Sequence, residues 1–144
     1  MAEHQNFKNH RQFVPLYHYV LALLTLAILI GAGINFFKST GGTGLYSASL
    51  LFAMALGNVL VFFYMRLFAL KAQDRAIKVE EDFRSYRRNG SVLDSRLDMR
   101  QVIGLRFAPD DEYDALASRA VEEGMSEDDI KKAIQNWKAD NYRA

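Results

Sequence analysis

The chain has 144 residues, half of them hydrophobic, with 18 basic against 17 acidic side chains and a formal net charge of +1. That balance excludes bulk electrostatic binding of nucleic acid, which depends on several Lys and Arg side chains neutralising phosphates. Cysteine is absent, which excludes disulfides, thiolate nucleophiles and Cys-ligated zinc or iron–sulfur sites.

The charges are unevenly placed. Between Phe13 and Met65 the single charged side chain is Lys38, so 34 of the 35 lie elsewhere. Residues 1–12 read as a polar N-terminal segment. Residues 13–37 are an uncharged run of 25, which at about 1.5 Å per residue exceeds the roughly 30 Å hydrocarbon layer and predicts a first transmembrane helix. The competing reading is a cleaved signal peptide, because Lys8 and Arg11 precede the run and Gly31-Ala-Gly33 supplies small residues. The run exceeds a usual signal core, however, and a second apolar run follows at once. Residues 38–44, Lys-Ser-Thr-Gly-Gly-Thr-Gly, are too polar and Gly-rich to continue a helix and predict a tight external turn. Residues 45–65 are again uncharged and predict the second span of an antiparallel hairpin.

Orientation follows from the flanks. Lys8 and Arg11 lie before the first span, while Arg66, Lys71, Arg75, Lys78 and Arg84 follow the second, and the loop has Lys38 alone. Both termini are therefore expected in the cytoplasm. Aromatic residues agree, with Phe13, Tyr17, Tyr19, Phe62, Phe63 and Tyr64 at the inner boundary and Phe36, Phe37 and Tyr46 at the outer one. Small residues at Ala27 and Gly31, and at Ser49, Ala53 and Gly57, step by four and are expected to form the helix-packing face. Thr25, Asn35, Ser47, Ser49 and Asn58 are uncharged, which suits hydrogen bonds between helices better than an ion path.

Residues 66–89 carry seven basic and four acidic side chains, and nothing interrupts the helix until Asn89-Gly90, so a basic stalk is expected to continue the second span. Arg66, Lys71, Arg75 and Lys78 lie near enough to meet anionic lipid head groups. Ala69, Ala72, Ala76, Val79, Phe83 and Tyr86 recur at steps of 3, 4, 3, 4 and 3, a heptad seam. Its simplest occupant is the chain's own tail; the alternative is a self-associating coiled coil. Val79, Phe83, Arg84, Tyr86, Arg87 and Arg88 are the candidate docking residues for the tail or a partner, the distal arginines being beyond the reach of the membrane surface.

Residues 90–144 carry eight basic and twelve acidic side chains and predict an acidic helical tail domain. Asp98 is a helix cap before Val102, Ile103 and Phe107. Pro109 followed by Asp110, Asp111 and Glu112 suits a helix start, Tyr113, Leu116, Ala117, Ala120 and Val121 form its apolar stripe, and Gly124 ends it. Ser126 to Asp129 resembles a capping box, with Ile130, Ala133, Ile134 and Trp137 lining a last helix and residues 142–144 expected to fray. The fold class is therefore all-α: a transmembrane hairpin, an extended stalk and a small helical tail.

No reaction is legible. His4, His10 and His18 lack a ligand set, and His18 beside two tyrosines suits an interfacial anchor. The Asp110 to Glu112 run lacks EF-hand spacing, and no phosphate loop, nucleophile elbow or zincin motif occurs. No cofactor, metal, catalytic residue or small-molecule substrate is indicated. Gln5 to Arg11 with Val14-Pro-Leu-Tyr-His18, Ile103-Gly-Leu-Arg-Phe-Ala108, and Ile130-Lys-Lys-Ala-Ile134 with Trp137 resemble an uncharacterised bacterial family of small two-span membrane proteins. That resemblance implies a bacterial inner membrane location and transfers no activity. The functional expectation is a non-catalytic membrane scaffold or accessory subunit that binds a protein partner or its own copies. The alternative is a small transporter or channel subunit that works as an oligomer, with Thr25 and Asn58 lining the pore.

Overall fold

A computed structural model describes residues 5–10 and 13–140. His4, Arg11 and the end expected to fray, residues 142–144, lie outside the described residues. The architecture is all-helical, with five helices and no strand among the described residues: α1, Leu16–Lys38; α2, Leu45–Asn89; α3, Met99–Leu105; α4, Asp110–Glu122; and α5, Glu127–Ala133. The chain divides into two compact units, Phe13–Ala69, and Leu70–Ala144 together with Met1–Gln12.

In the first unit α1 opens as a π-helix over Leu16–Leu21 and becomes α-helical at Ala22. It stops where the polar turn begins, with Ser39 N–H donating to the Asn35 and Phe36 carbonyls. Gly41 sits at φ +92, a conformation open to glycine, and reverses the chain. Both α1 and α2 are long and apolar enough to cross a membrane, and only 6% and 11% of their most apolar windows are buried.

The helix-packing face differs from the expected one. Thr25, Ala48 and Ala55 are the buried residues of this unit, whereas Ala27, Gly31 and Ala53 are exposed and Ser49 and Gly57 are half-buried. A Cβ added at Gly31 or Gly57 would meet nothing within 4 Å, so neither glycine marks a close approach. Aromatic pairs join the two helices. Tyr17 lies parallel to Phe62 at 4.8 Å and donates its hydroxyl to the Phe62 carbonyl at 2.7 Å. Phe36 lies against Phe52 at 5.5 Å, and a Cβ on Gly33 would meet the Phe52 ring at 3.6 Å. The buried positions of α2 in this unit, Ala48 and Ala55, are small as well, but they are seven residues apart and off the expected row of Ser49, Ala53 and Gly57.

In the second unit α2 ends as the Asn89-Gly90 signal predicts, with Gly90 at φ +73 and its N–H on the Tyr86 carbonyl. Asp98 and Gln101 form a reciprocal capping box for α3. Pro109 precedes α4, and Asp110, Asp111 and Glu112 occupy its first turn, where the helix dipole favours anions. Gly124 closes α4 at φ +60, with the Met125 N–H reaching the Ala120 carbonyl in a Schellman arrangement. The core holds Ile77, Leu93, Leu97, Val102, Leu105, Phe107, Tyr113 and Ile130.

The last helix is shorter than expected. It ends at Ala133, and Ile134 is extended, so Trp137 lies outside it. The chain beyond is bound elsewhere: the Gln135 and Asn136 N–H groups donate to the Glu112 carboxylate at 2.9 and 3.0 Å, and Lys138 N–H donates to the Phe107 carbonyl at 2.8 Å. Such partners replace the intrahelical bonds that one more turn would have made.

Candidate functional site

Within the second unit the distal part of α2 presents two contrasting faces. Ile77, Glu81 and Ser85, spaced by four, are buried, and Ile77 belongs to the tail core. The heptad seam is on the other side, with Val79, Phe83 and Tyr86 exposed at 67%, 60% and 58%, and Ala72 and Ala76 exposed as well. At 100° per residue the mean directions of the two rows differ by about 170°. The expectation that the seam covers itself with the tail is therefore overturned. The tail takes a face that apolar periodicity does not mark, because two of its three buried residues are polar and are satisfied locally. Ser85 donates to the Ser91 carbonyl at 2.9 Å, and Glu81 accepts from Arg84 at 3.2 Å.

Arg84 and Arg88 join α2 to α4. Arg84 donates from Nε to Asp110 at 2.8 Å and from a terminal nitrogen to the Ala108 carbonyl at 2.8 Å. Its guanidinium lies 4.2 Å from the centre of the buried Tyr113 ring. Arg88 donates to Asp114 at 2.7 Å, and Asn89 donates to the other oxygen of the same carboxylate at 2.9 Å. Both helices space these residues by four, so one turn of α2 matches one turn of α4. The Arg84 hydrogen bond holds the Asp110 carboxyl below the usual carboxylate range, and that of Arg88 does the same to Asp114. Burial, followed by the nearby Glu81 charge, pushes the Tyr113 phenol up. Of the candidate docking residues, Arg84 and Arg88 reach the tail, while Val79, Phe83, Tyr86 and Arg87 stand in solvent-exposed positions.

The candidate head-group residues are dispersed. Arg66 lies 5.9 Å from the Tyr17 ring centre in the first unit, Lys71 and Arg75 are exposed, and Lys78 pairs with Asp82 at 2.8 Å. Of the residues expected to line a pore, Thr25 is buried and Asn58 is exposed.

A cluster that sequence reasoning missed joins the three strings on which the family resemblance rests. His10 is buried 5.9 Å from the Phe107 ring centre and 5.7 Å from that of Trp137, and those two rings are 5.0 Å apart. The buried Lys131 ammonium lies 3.3 Å from the His10 ring and bonds Glu127. Gln5 exchanges two hydrogen bonds with the Asp140 backbone, at 3.0 and 2.8 Å. The three strings were legible, but nothing in them shows that sequence ends more than 100 residues apart meet. Among the described residues no group of three or more His, Cys, Asp or Glu side chains is placed to hold a metal ion.

The fold and this site define an all-helical protein with two long apolar helices, the second extended into a stalk that carries a docked tail. The whole chain, residues 1–144, matches a family described as a family of unknown function (DUF6526), and the chain belongs to it. No curated protein and no solved structure matches the chain.

Proposed function

We propose that this is a non-catalytic integral membrane protein whose hairpin lies in a bacterial inner membrane and whose cytoplasmic stalk and tail recruit another protein chain. The observation that carries the reading is the exposed seam at Val79, Phe83 and Tyr86, on the face of α2 turned away from its docked tail. Regularly spaced apolar side chains on a polar helix cover a partner more often than they face water. The low burial of both apolar windows supports the membrane half of the reading, because a soluble core helix would be covered by protein. Arg66 and Lys71 are the residues best placed for anionic head groups.

The test is purification of the tagged full chain in mild detergent, with mass analysis of the complex. A stoichiometric complex containing a second chain is expected, and it should be lost on Phe83→Asp. A chain found in the soluble fraction, or one that purifies as a lone monomer, would overturn the proposal. Topology has its own measurement. With Ser39→Cys and Ser91→Cys introduced singly, an impermeant thiol reagent should label intact cells at residue 39 and spare residue 91.

A further inference from the structure

We infer that the chain recruited by the seam is a second copy of this protein, paired in parallel along residues 72–87. The inference rests on the membrane-anchored reading above and names its partner. Ala72, Val79 and Tyr86 take the d positions of a heptad and Ala76 and Phe83 the a positions. The flanking g positions are then Arg75 and Asp82, and the flanking e positions are Glu80 and Arg87. In a parallel pair each g residue meets the e residue five positions further along the other helix. Arg75 therefore meets Glu80 of the second copy, and Asp82 meets Arg87 of the second copy. All four charged flanking positions find the opposite sign.

Three further observations fit this occupant. Arg75, Glu80 and Arg87 are exposed and lie outside the ion pairs that bind the stalk to the tail. Asp82 is shared with Lys78 at 2.8 Å within a partly exposed pair, which leaves the carboxylate able to accept a second cation. The tail holds the opposite face through Ile77, Glu81 and Ser85, so pairing leaves its docking intact. Two hairpins with one topology in one membrane bring their stalks together in parallel. Confinement to that membrane supplies the effective concentration that a seam of fewer than three heptads needs.

The absence of cysteine makes the test direct. Val79→Cys, Tyr86→Cys and, on the opposite face, Asp74→Cys are introduced singly into the full chain in its native membrane and oxidised. Disulfide-linked dimers at residues 79 and 86, several-fold above residue 74, are expected. In Val79→Cys, Arg75→Glu should reduce the dimer several-fold, and adding Glu80→Arg should restore it. Equal linking at all three sites, linking at neither seam position, linking at one seam position alone as in an antiparallel pair, or failure of the charge exchange to restore the dimer would overturn the inference. Fractionation of the same samples separates the two claims. A chain in the membrane fraction without seam crosslinks removes the dimer and leaves the anchor, whereas a soluble chain removes the anchor itself.

Discussion

The two units of this chain solve burial in opposite senses. In the tail, Val102, Leu105, Phe107 and Ile130 are inside, and of the charged residues of α4 and α5 only Lys131 is buried. In the hairpin, Leu23, Leu24, Leu26 and Ile30 are exposed, while Thr25 is buried with its hydroxyl unpartnered. The first arrangement draws stability from removing apolar area from water, at roughly 25 cal/mol per Å². The second leaves that area outside, where only an apolar surrounding makes it favourable, and buries Ala48 and Ala55 beside two ring pairs between its helices. The comparison teaches that identical residue types have opposite stabilising roles on the two sides of Ala69.

The largest expected difference is at core against surface aromatic and aliphatic positions. Phe107→Ala should cost the tail about 3–5 kcal/mol, seen as a lower unfolding temperature and loss of amide protection across α3 and α5. Leu23→Ala, at a position 66% exposed, should leave the tail and the hairpin packing unchanged. Comparable losses at the two sites would break the comparison.

Glycines sharpen it. A Cβ at Gly104 would meet the Ile130 side chain at 3.1 Å and the Glu127 carbonyl at 3.2 Å. Gly104→Ala should therefore destabilise the tail by about 1–3 kcal/mol through overpacking of α3 on α5. Gly31→Leu meets open space and should be tolerated, measured as unchanged heat stability in detergent. A destabilised Gly31→Leu would restore the expected small-residue face.

The smallest effects concern the arginines. Arg84→Ala should cost about 2 kcal/mol, since it removes charged hydrogen bonds and stacking on Tyr113 together. Arg87→Ala should change tail stability by less than about 0.5 kcal/mol. Hydrogen exchange in α4 reads both. Their arginine partners hold the Asp110 and Asp114 carboxyls below the usual carboxylate range, so their contribution is whole above about pH 4 and is lost as the pH falls through the lowered folded values. Protection of α4 should fall over that acid window in the natural chain, and in Arg84→Ala with Arg88→Ala it should start lower and change less with pH.

Much of the fold was legible because its signals are local. The charge-free runs, the turn at Gly41, the stop at Gly90, the Asp98 cap and the Gly124 terminus each depend on a few adjacent residues, and each lies where the sequence places it. The resemblance to an uncharacterised family reduces to membership in a family of unknown function, which spans the full length. The seam was legible as a pattern, though its occupant was not.

The sequence by itself determined where most helices begin and end, the C-terminal end of α5 excepted, because capping, backbone freedom and apolar run length act within a turn or two of the chain. Tertiary structure alone decided which faces meet. The tail lies on Ile77, Glu81 and Ser85 because buried polar atoms there are satisfied by Arg84 and Ser91, a condition that no periodicity encodes. In the hairpin Tyr17 meets Phe62 and Phe36 meets Phe52, and Thr25, Ala48 and Ala55 are buried in place of the expected small-residue steps. Residues 135–138 left the helical path for Glu112 and the Phe107 carbonyl, since partners distant in sequence satisfied their N–H groups as well as another helical turn would have.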